Sequence, residues 1–470
     1  MSIRISALYV LVAGLSIYAW KDWFRSLCGL ILLMAVMEHR DMPRSMFGIQ
    51  GFNPWNVLFV AIFLAWLVNR RREGLTWDMP RHVSVLLLLY LGVIVVGFLR
   101  AVFDRGNMDA YPLSGLISEE LINTIKWVLP GLLLFDGCRT RKRVVMALVC
   151  ILAMYFLIAV QVVRGLPASS VLYAGSNINE TRRACSKIGY TACDMSTMLA
   201  GAFWGIVATL SLIHKKKYGL MVLAIAGMVA FGQALTGGRA GYLAWGATGL
   251  TLCLLKWRKR LILVPVVVML LPIIFPGAAE RMLTGFGETD VAGQKVINEF
   301  EVGSGRFALW SIVVDKIGEC PFLGYGRLAM QRTGLYDYTA IELKQAFPHP
   351  HNMYLETLID NGLLGSIPIL LFWGMIVVYS ARLFRNNNRL ASAVGGMALV
   401  LMLAQLFAGI GSQHFYPEQS TLGVWAAMFL SLRVYVEHKR TQVELGFAED
   451  SWHSRVFEPQ GHVAAANAQE

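Results

Sequence analysis

The stretch PHPHNMYLETLIDNGLLG, residues 348–365, sets His349 and His351 one residue apart, with Asn352 next, at the mouth of an apolar run. Asn352 is a helix N-cap type, and Tyr354, Leu355, Leu358 and Ile359 share one face of the helix it would start. Asp360-Asn361-Gly362 stops that helix, with Gly362 in a left-handed position. His351 is thereby held at a helix start, where the dipole lowers its pKa. A neutral imidazole in that place can take a proton from an attacking hydroxyl. Prolines flank His349 on both sides and read as a rigid lead-in loop. His349-x-His351 without a paired-cysteine or zinc spacing gives no ground for a metal site, and neither a metal nor another cofactor is expected.

Cationic groups suited to an anion lie elsewhere. Arg239 follows two glycines in LTGGRAGYLAWG, between two apolar runs a few residues apart; glycine permits the tight turn and the close approach of another group. The segment 304–326 reads as an amphipathic helix with Ser304 as N-cap, an apolar face of Phe307, Trp310, Val313, Val314 and Ile317, and Pro321 as its end. Trp310 would anchor it at a membrane interface. Arg306 falls in its first turn, where a cation opposes the helix dipole unless an anion binds nearby. Arg182 and Arg183 form a third site. Guanidinium groups make bidentate, charge-assisted hydrogen bonds to phosphate or pyrophosphate.

The elements that must position these residues are membrane helices. The 470 residues are 56% hydrophobic and only 15% charged, with a mean hydropathy of +0.54. Apolar runs close to the ~20 residues a bilayer-spanning helix needs recur along the chain. The ten-residue alternation of a membrane β-barrel is absent. Candidate spans are 5–20, 24–38, 54–69, 83–99, 121–136, 144–163, 196–213, 219–235, 240–255, 261–275, 363–380, 390–410 and 420–436. The expected fold is all-α and polytopic, with twelve or thirteen spans. Residues 1–275 carry the N-terminal helices, 276–352 a large outer loop with short interfacial helices, 353–436 the C-terminal helices, and 437–470 a polar, disordered cytoplasmic tail.

The net charge of +12 is gathered in compact clusters beside apolar runs, as at 70–72, 139–143, 215–217, 256–260 and 382–389. That is the positive-inside pattern and speaks against a nucleic-acid partner. With those clusters in the cytoplasm, Arg182, Arg183, Arg239, Arg306 and His351 all face outward, on the side where arginine is disfavoured. Cys185 and Cys193 share an outer loop, where a disulfide is plausible in an oxidising compartment.

GGRAGYLA with Arg239, GRFALW with Arg306 and Trp310, PFLGYG at 321–326, and HNMYLETLIDNGLLG from His351 follow one another in that order. In this the segment from about 190 to 380 resembles the O-antigen ligase/polymerase superfamily. The family more often has Ser-Arg than Gly-Arg at the tight turn. The resemblance implies a metal-independent glycosyltransferase of the bacterial inner membrane whose site faces the periplasm. It would move a glycan from a polyprenyl (undecaprenyl) diphosphate carrier to a hydroxyl of a glycan, lipid A-core or protein acceptor, among membrane lipids. Arg239 and Arg306 would hold the diphosphate and His351 would activate the acceptor. Arg182, Arg183, Tyr190, Asn352, Trp310 and His349 are the candidate substrate contacts. The ligase type is favoured over a repeat-unit polymerase on the same scaffold. A lipid-linked sugar transporter or flippase is the rival of another class, and Glu119, Glu120 and Lys126, beside one span, are the ionisable cluster it could use.

Overall fold

A computed structural model describes residues 3–456, apart from 47, 49, 50, 109, 110, 167–177, 284–287, 290–294, 297–302, 304 and 413. Among the described residues the chain is helical except for one antiparallel pair, Glu288–Thr289 with Lys295–Val296. The helices are α1 (Ile3–Ala19), α2 (Trp23–Met37), α3 (Pro54–Arg72), α4 (Arg81–Phe103), α5 (Leu129–Gly137), α6 (Arg141–Gly165), α7 (Ile178–Ile188) and α8 (Ala192–Ala208). They continue as α9 (Lys216–Leu235), α10 (Arg239–Leu255), α11 (Val264–Ile274), α12 (Pro276–Leu283), α13 (Arg306–Glu319), α14 (Met353–Arg385), α15 (Arg389–Ala408) and α16 (Leu422–Val456).

The expected apolar runs are helical, but fewer are long enough to cross a bilayer. Among the described residues, six helices meet length and composition together: α4, α6, α8 with its 3-10 extension to Leu212, α9, α14 and α15. The α11–α12 pair, bent by 101°, would make a seventh. At ~1.5 Å per residue, the 15 residues of α2 reach ~23 Å, short of a ~30 Å hydrocarbon core. α3 ends in Arg70, Arg71 and Arg72, and the run at 121–136 is broken into a π-helix, a single turn and α5. α16 continues to Val456, into the segment expected as tail; residues 457–470 lie outside the described residues.

Small residues let the central helices approach. Ala200, Ala244, Ala404 and Ala408 from α8, α10 and α15 are buried together, as is common where membrane helices pack without a hydrophobic drive. Around them runs a large apolar core that includes Trp23, Phe135, Trp373 and Trp425.

The basic clusters and the candidate site occupy opposite ends of this bundle. At one end, Arg70 pairs with Asp136 at 2.9 Å, Arg139 with Asp78 at 2.7 Å, and Lys256 Nζ donates to the Phe384 carbonyl at 2.6 Å. At the other, Met353 N donates to the Gly409 carbonyl at 2.8 Å, joining the start of α14 to the end of α15.

α14 is broken at Gly362, whose φ of 59° and ψ of −168° are not helical. The PFLGYG loop fills the break with its own backbone. Leu363 N donates to Pro321 O at 2.8 Å, Leu364 N to Phe322 O at 3.0 Å, Tyr325 N to Ile359 O at 2.8 Å and Gly326 N to Asp360 O at 2.6 Å. A Cβ at Gly362 would lie 2.3 Å from the Phe322 carbonyl carbon, and one at Gly324 2.6 Å from Gly362 N. The glycines are therefore required by the close backbone contact as well as by the positive φ.

Candidate active site

Arg239 is the first residue of α10, and the turn before it is pinned on three sides. Ser196 Oγ donates to the Gly238 carbonyl at 3.0 Å, Gly237 N donates to Tyr242 Oη at 3.0 Å, and that hydroxyl donates to Ala234 O at 2.7 Å. A Cβ at Gly238 would sit 2.6 Å from the Ser196 Cβ, so only glycine lets α10 start this close to α8. Arg306 is the first residue of α13, after Gly305 at a φ of 74°. The N-cap position thus falls on Gly305 rather than Ser304, which lies outside the described residues. The buried face of α13 is Leu309 and Val313; Phe307 and Val314 are exposed, contrary to the single apolar face expected of them.

A cavity of about 240 Å³ is lined by Arg182, Arg239, Arg281, Arg306 and His351, with Ala192, Cys193, Gly238, Ala240 and Phe347 among its other wall residues. Four arginines and no carboxylate line it among the described residues. The N-termini of α8, α10 and α13 open onto it; that of α8 is closed by a Thr191–Asp194 capping box, whereas those of α10 and α13 have no side-chain cap and present the positive end of a helix dipole and backbone N–H groups. Such ends favour anions, and with four guanidiniums they make a pocket suited to one. The close arginines disfavour one another's charge. Burial, then Arg239 and Arg182, press the Arg281 pKa downward. Burial also lowers that of Arg306, with Cys193 opposing and Arg182 and Arg281 adding to the shift. Arg281 Nε is buried without a hydrogen-bond partner, a vacancy that native structures seldom leave without cause.

The loop that presents His351 is equally fixed. Trp310 Nε1 donates to the Pro350 carbonyl at 2.9 Å, so this indole ties the loop to α13 instead of acting as a free interfacial anchor. The His351 amide donates to His349 Nδ1 at 3.3 Å. Asn352 Oδ1 accepts from Tyr354 N at 3.0 Å and Leu355 N at 3.2 Å, capping α14. His351 itself has a φ of 52°, a strained backbone for a non-glycine residue and one that clusters at functional sites.

Behind His351 a polar chain runs into the protein. The His349 ring lies 4.1 Å from that of His351 and 4.9 Å from that of His414. His414 Nδ1 is paired with Glu356. Glu356 and Asp360 each lie 3.2 Å from Arg327, which also meets Glu120 at 2.6 Å and stacks on the Tyr416 ring at 3.7 Å. Burial, His349, Arg306 and His414 lower the His351 pKa to about 3. Burial and His414 lower that of His349 to about 4. The expected direction holds for His351, but burial and neighbouring cations cause it more than the helix start does. His414 goes the other way, to about 9, because burial is outweighed by the Glu356 carboxylate.

The structure brings Arg182, Arg239, Arg306 and His351 to one cavity and does not bring Arg183 or Tyr190 there. Tyr190 is buried in the core, its hydroxyl donating to Met34 O at 3.3 Å. Asn352, Trp310 and His349 hold the His351 loop. Cys185 and Cys193 are free thiols; the latter lies against the Arg306 guanidinium. Glu120, read as material for a transport pathway, is tied to Arg327. Sequence reasoning missed Arg281, His414 and Glu356. For Arg281 the signal was present: it is one more arginine in the segment 276–352 expected to face outward, here on α12.

The fold and this site define a multi-pass membrane protein with an anion pocket beside a histidine. Residues 221–370, which hold Arg239, Arg281, Arg306 and His351, match the family described as O-Antigen ligase. A curated protein of Rickettsia conorii named "Putative polysaccharide ligase" is 23% identical over 219 residues, 45% of this chain and 48% of the relative. The chain thus spans about half the length of the curated relative it matches.

Proposed function

We propose that the protein is an O-antigen ligase-type glycosyltransferase. It transfers a glycan from a polyprenyl diphosphate, of the undecaprenyl class, to an acceptor hydroxyl on the periplasmic face of the bacterial inner membrane. One observation carries this: His351 shares a cavity with four arginines and three helix N-termini. The arginines grip the donor diphosphate and stabilise it as the leaving group, as preorganised cations do best out of water. The acceptor O–H gives its proton to His351 as its oxygen bonds to the sugar anomeric carbon. The bond from that carbon to the diphosphate oxygen breaks, and its electron pair leaves on the diphosphate. With this much fixed positive charge the reaction needs neither a metal nor a nucleotide. The placement of the basic clusters at the opposite end of the bundle supports an outward-facing site. The relative's name supports ligase over polymerase.

The test uses the full chain in detergent with an undecaprenyl diphosphate-linked glycan, a saccharide acceptor and a chelator, without nucleotide. Product is expected with the wild type and lost with His351→Ala at unchanged folding. An intact glycosyl bond in the wild-type reaction, with labelled lipid crossing vesicles instead, would replace this reading with transport.

A further inference from the structure

A second polar cavity, of about 340 Å³, lies at the same end of the bundle and shares no wall residue with the first. It sits between the end of α2, the start of α3 and the π-helix Ile117–Asn123, with Gln419 closing one side. One helix separates the two cavities. Arg40 N, just past α2, donates to the Lys187 carbonyl of α7 at 2.8 Å, and α7 carries Arg182 into the arginine cavity.

Its wall is of another chemistry. Glu38 and Glu119 face Arg44 and Lys126, so the formal charges cancel where the first cavity has four cations and no carboxylate. A diphosphate has no reason to prefer it. Amides and indoles complete the lining. The rings of Trp55 and Trp127 are 4.8 Å apart, with Lys126 Nζ 4.2 Å from the Trp127 centroid. Lys126 Nζ donates to Asn123 Oδ1 at 2.8 Å and Asn123 Nδ2 to Glu119 Oε2 at 2.9 Å. A row of planar acceptors and donors beside apolar ring surfaces matches a sugar, which offers vicinal hydroxyls on its rim and C–H groups on its faces.

Two features mark the cavity as a built site. The π-helix that supplies Ser118, Glu119 and Asn123 runs seven residues, although this conformation is rare and concentrates at functional sites. Trp55 Nε1 and Asn56 Oδ1, both of wall residues, are buried without hydrogen-bond partners. Glu119 and Lys126, of the cluster that the sequence left available for transport, line this cavity.

We propose that this cavity is a saccharide-binding subsite that holds the glycan part of the acceptor while its hydroxyl reaches His351. Assignment to the acceptor rests on the transferase reading above; saccharide binding does not.

The probe is the saccharide that mild acid releases from the source organism's own surface glycolipid. Its binding to the detergent-solubilised full chain is followed by saturation-transfer NMR and tryptophan fluorescence. Glu119 is exposed and Asn123 half-buried, so Glu119→Gln and Asn123→Ala keep the fold, checked by an unchanged Tm. Each is expected to weaken saccharide binding at least tenfold and to raise the acceptor KM by a similar factor with the donor KM unchanged. Trp127→Phe, conserving apolar bulk, is expected to remove the fluorescence response while binding persists by NMR. Saccharide binding that depends on Glu119 and Asn123 in a protein without transfer would keep the subsite and sink the transferase reading. No binding by the wild type, or wild-type binding and acceptor KM in both variants, overturns the subsite.

Discussion

Arg281→Gln separates a ligand-binding arginine from a structural one by the sign of two measurements. In the empty protein, Arg281 is half-buried beside Arg239 and Arg182, both of which disfavour its charge, and its Nε lacks a partner. Removing that charge relieves repulsion of ~1 kcal/mol at a partly screened site. The Tm of the ligand-free protein is therefore expected to rise by ~2 °C. With an anion bound the balance reverses. A hydrogen bond to a charged group contributes ~1.5–3 kcal/mol, which corresponds to ~10- to 150-fold in affinity. Relief of repulsion also falls away once the diphosphate neutralises the cluster, so the lower part of that range is expected, ~10- to 30-fold. The assay is isothermal titration of the detergent-solubilised protein with farnesyl diphosphate, alongside thermal unfolding with and without it. A variant less stable when empty, with wild-type affinity, would refute the assignment of Arg281 to the anion pocket.

The pH dependence of turnover tests the coupling of His351 to the donor. Its pKa of about 3, set by burial, His349 and Arg306, should rise once diphosphate offsets Arg306. The acidic limb of kcat, which reports the bound complex, is then expected at higher pH than that of kcat/KM, which reports the free enzyme; coincident limbs would count against it. The His414–Glu356 pair gives stability of a definite pH window. The His414 pKa is raised from 6.5 to about 9, so its contribution is whole below about pH 6.5 and lost as pH rises through 9. Wild-type Tm should fall across that interval, and Glu356→Gln should flatten the slope; an unchanged slope would exclude the pair. Gly362→Ala is expected to cost ~3 kcal/mol or more, from positive φ and from the 2.3 Å approach of its Cβ to Phe322. Gly374→Ala, with nothing within 4 Å, should leave the Tm within a degree or two.

The cationic site was largely legible because each of its residues breaks a local rule. Arg239 and Arg306 fall on the disfavoured side of the orientation expected from the basic clusters, and Arg306 opposes a helix dipole. Asn352 and Gly362 announced the start and the break of the first part of α14, and both hold. What stayed hidden needs contacts between distant segments. Nothing near Glu356 indicates that it meets His414, 58 residues on. PFLGYG could be read only as a motif, because its role depends on two glycines, 324 and 362, whose backbones meet. Trp310 carried the apolar look of a membrane anchor, yet its N–H is spent on Pro350. The polytopic helical fold was legible from apolar composition, but which of the apolar helices are long enough to cross a bilayer was not, because composition marks a buried helix as readily as a crossing one.

On the proposed function, the electrostatics also imply an order of events. A histidine with a pKa of about 3 is unprotonated at any physiological pH, but so weak a base gains little by taking a proton from a hydroxyl. After burial and His349, Arg306 is the next group that depresses it, and on the proposed function it is one that the donor diphosphate would neutralise. Arg306 lowers the His351 pKa directly and lines the anion cavity. On the proposed function, diphosphate binding would do two things at once: fill the pocket and offset the Arg306 part of the shift on the imidazole beside it. Without the donor, an acceptor hydroxyl or water at His351 would meet a poor base and no leaving group. His414 does not follow this cycle, because Glu356 holds its proton. It stays a fixed cation behind His349, which keeps the chain of imidazoles from drawing the proton away from the reacting end.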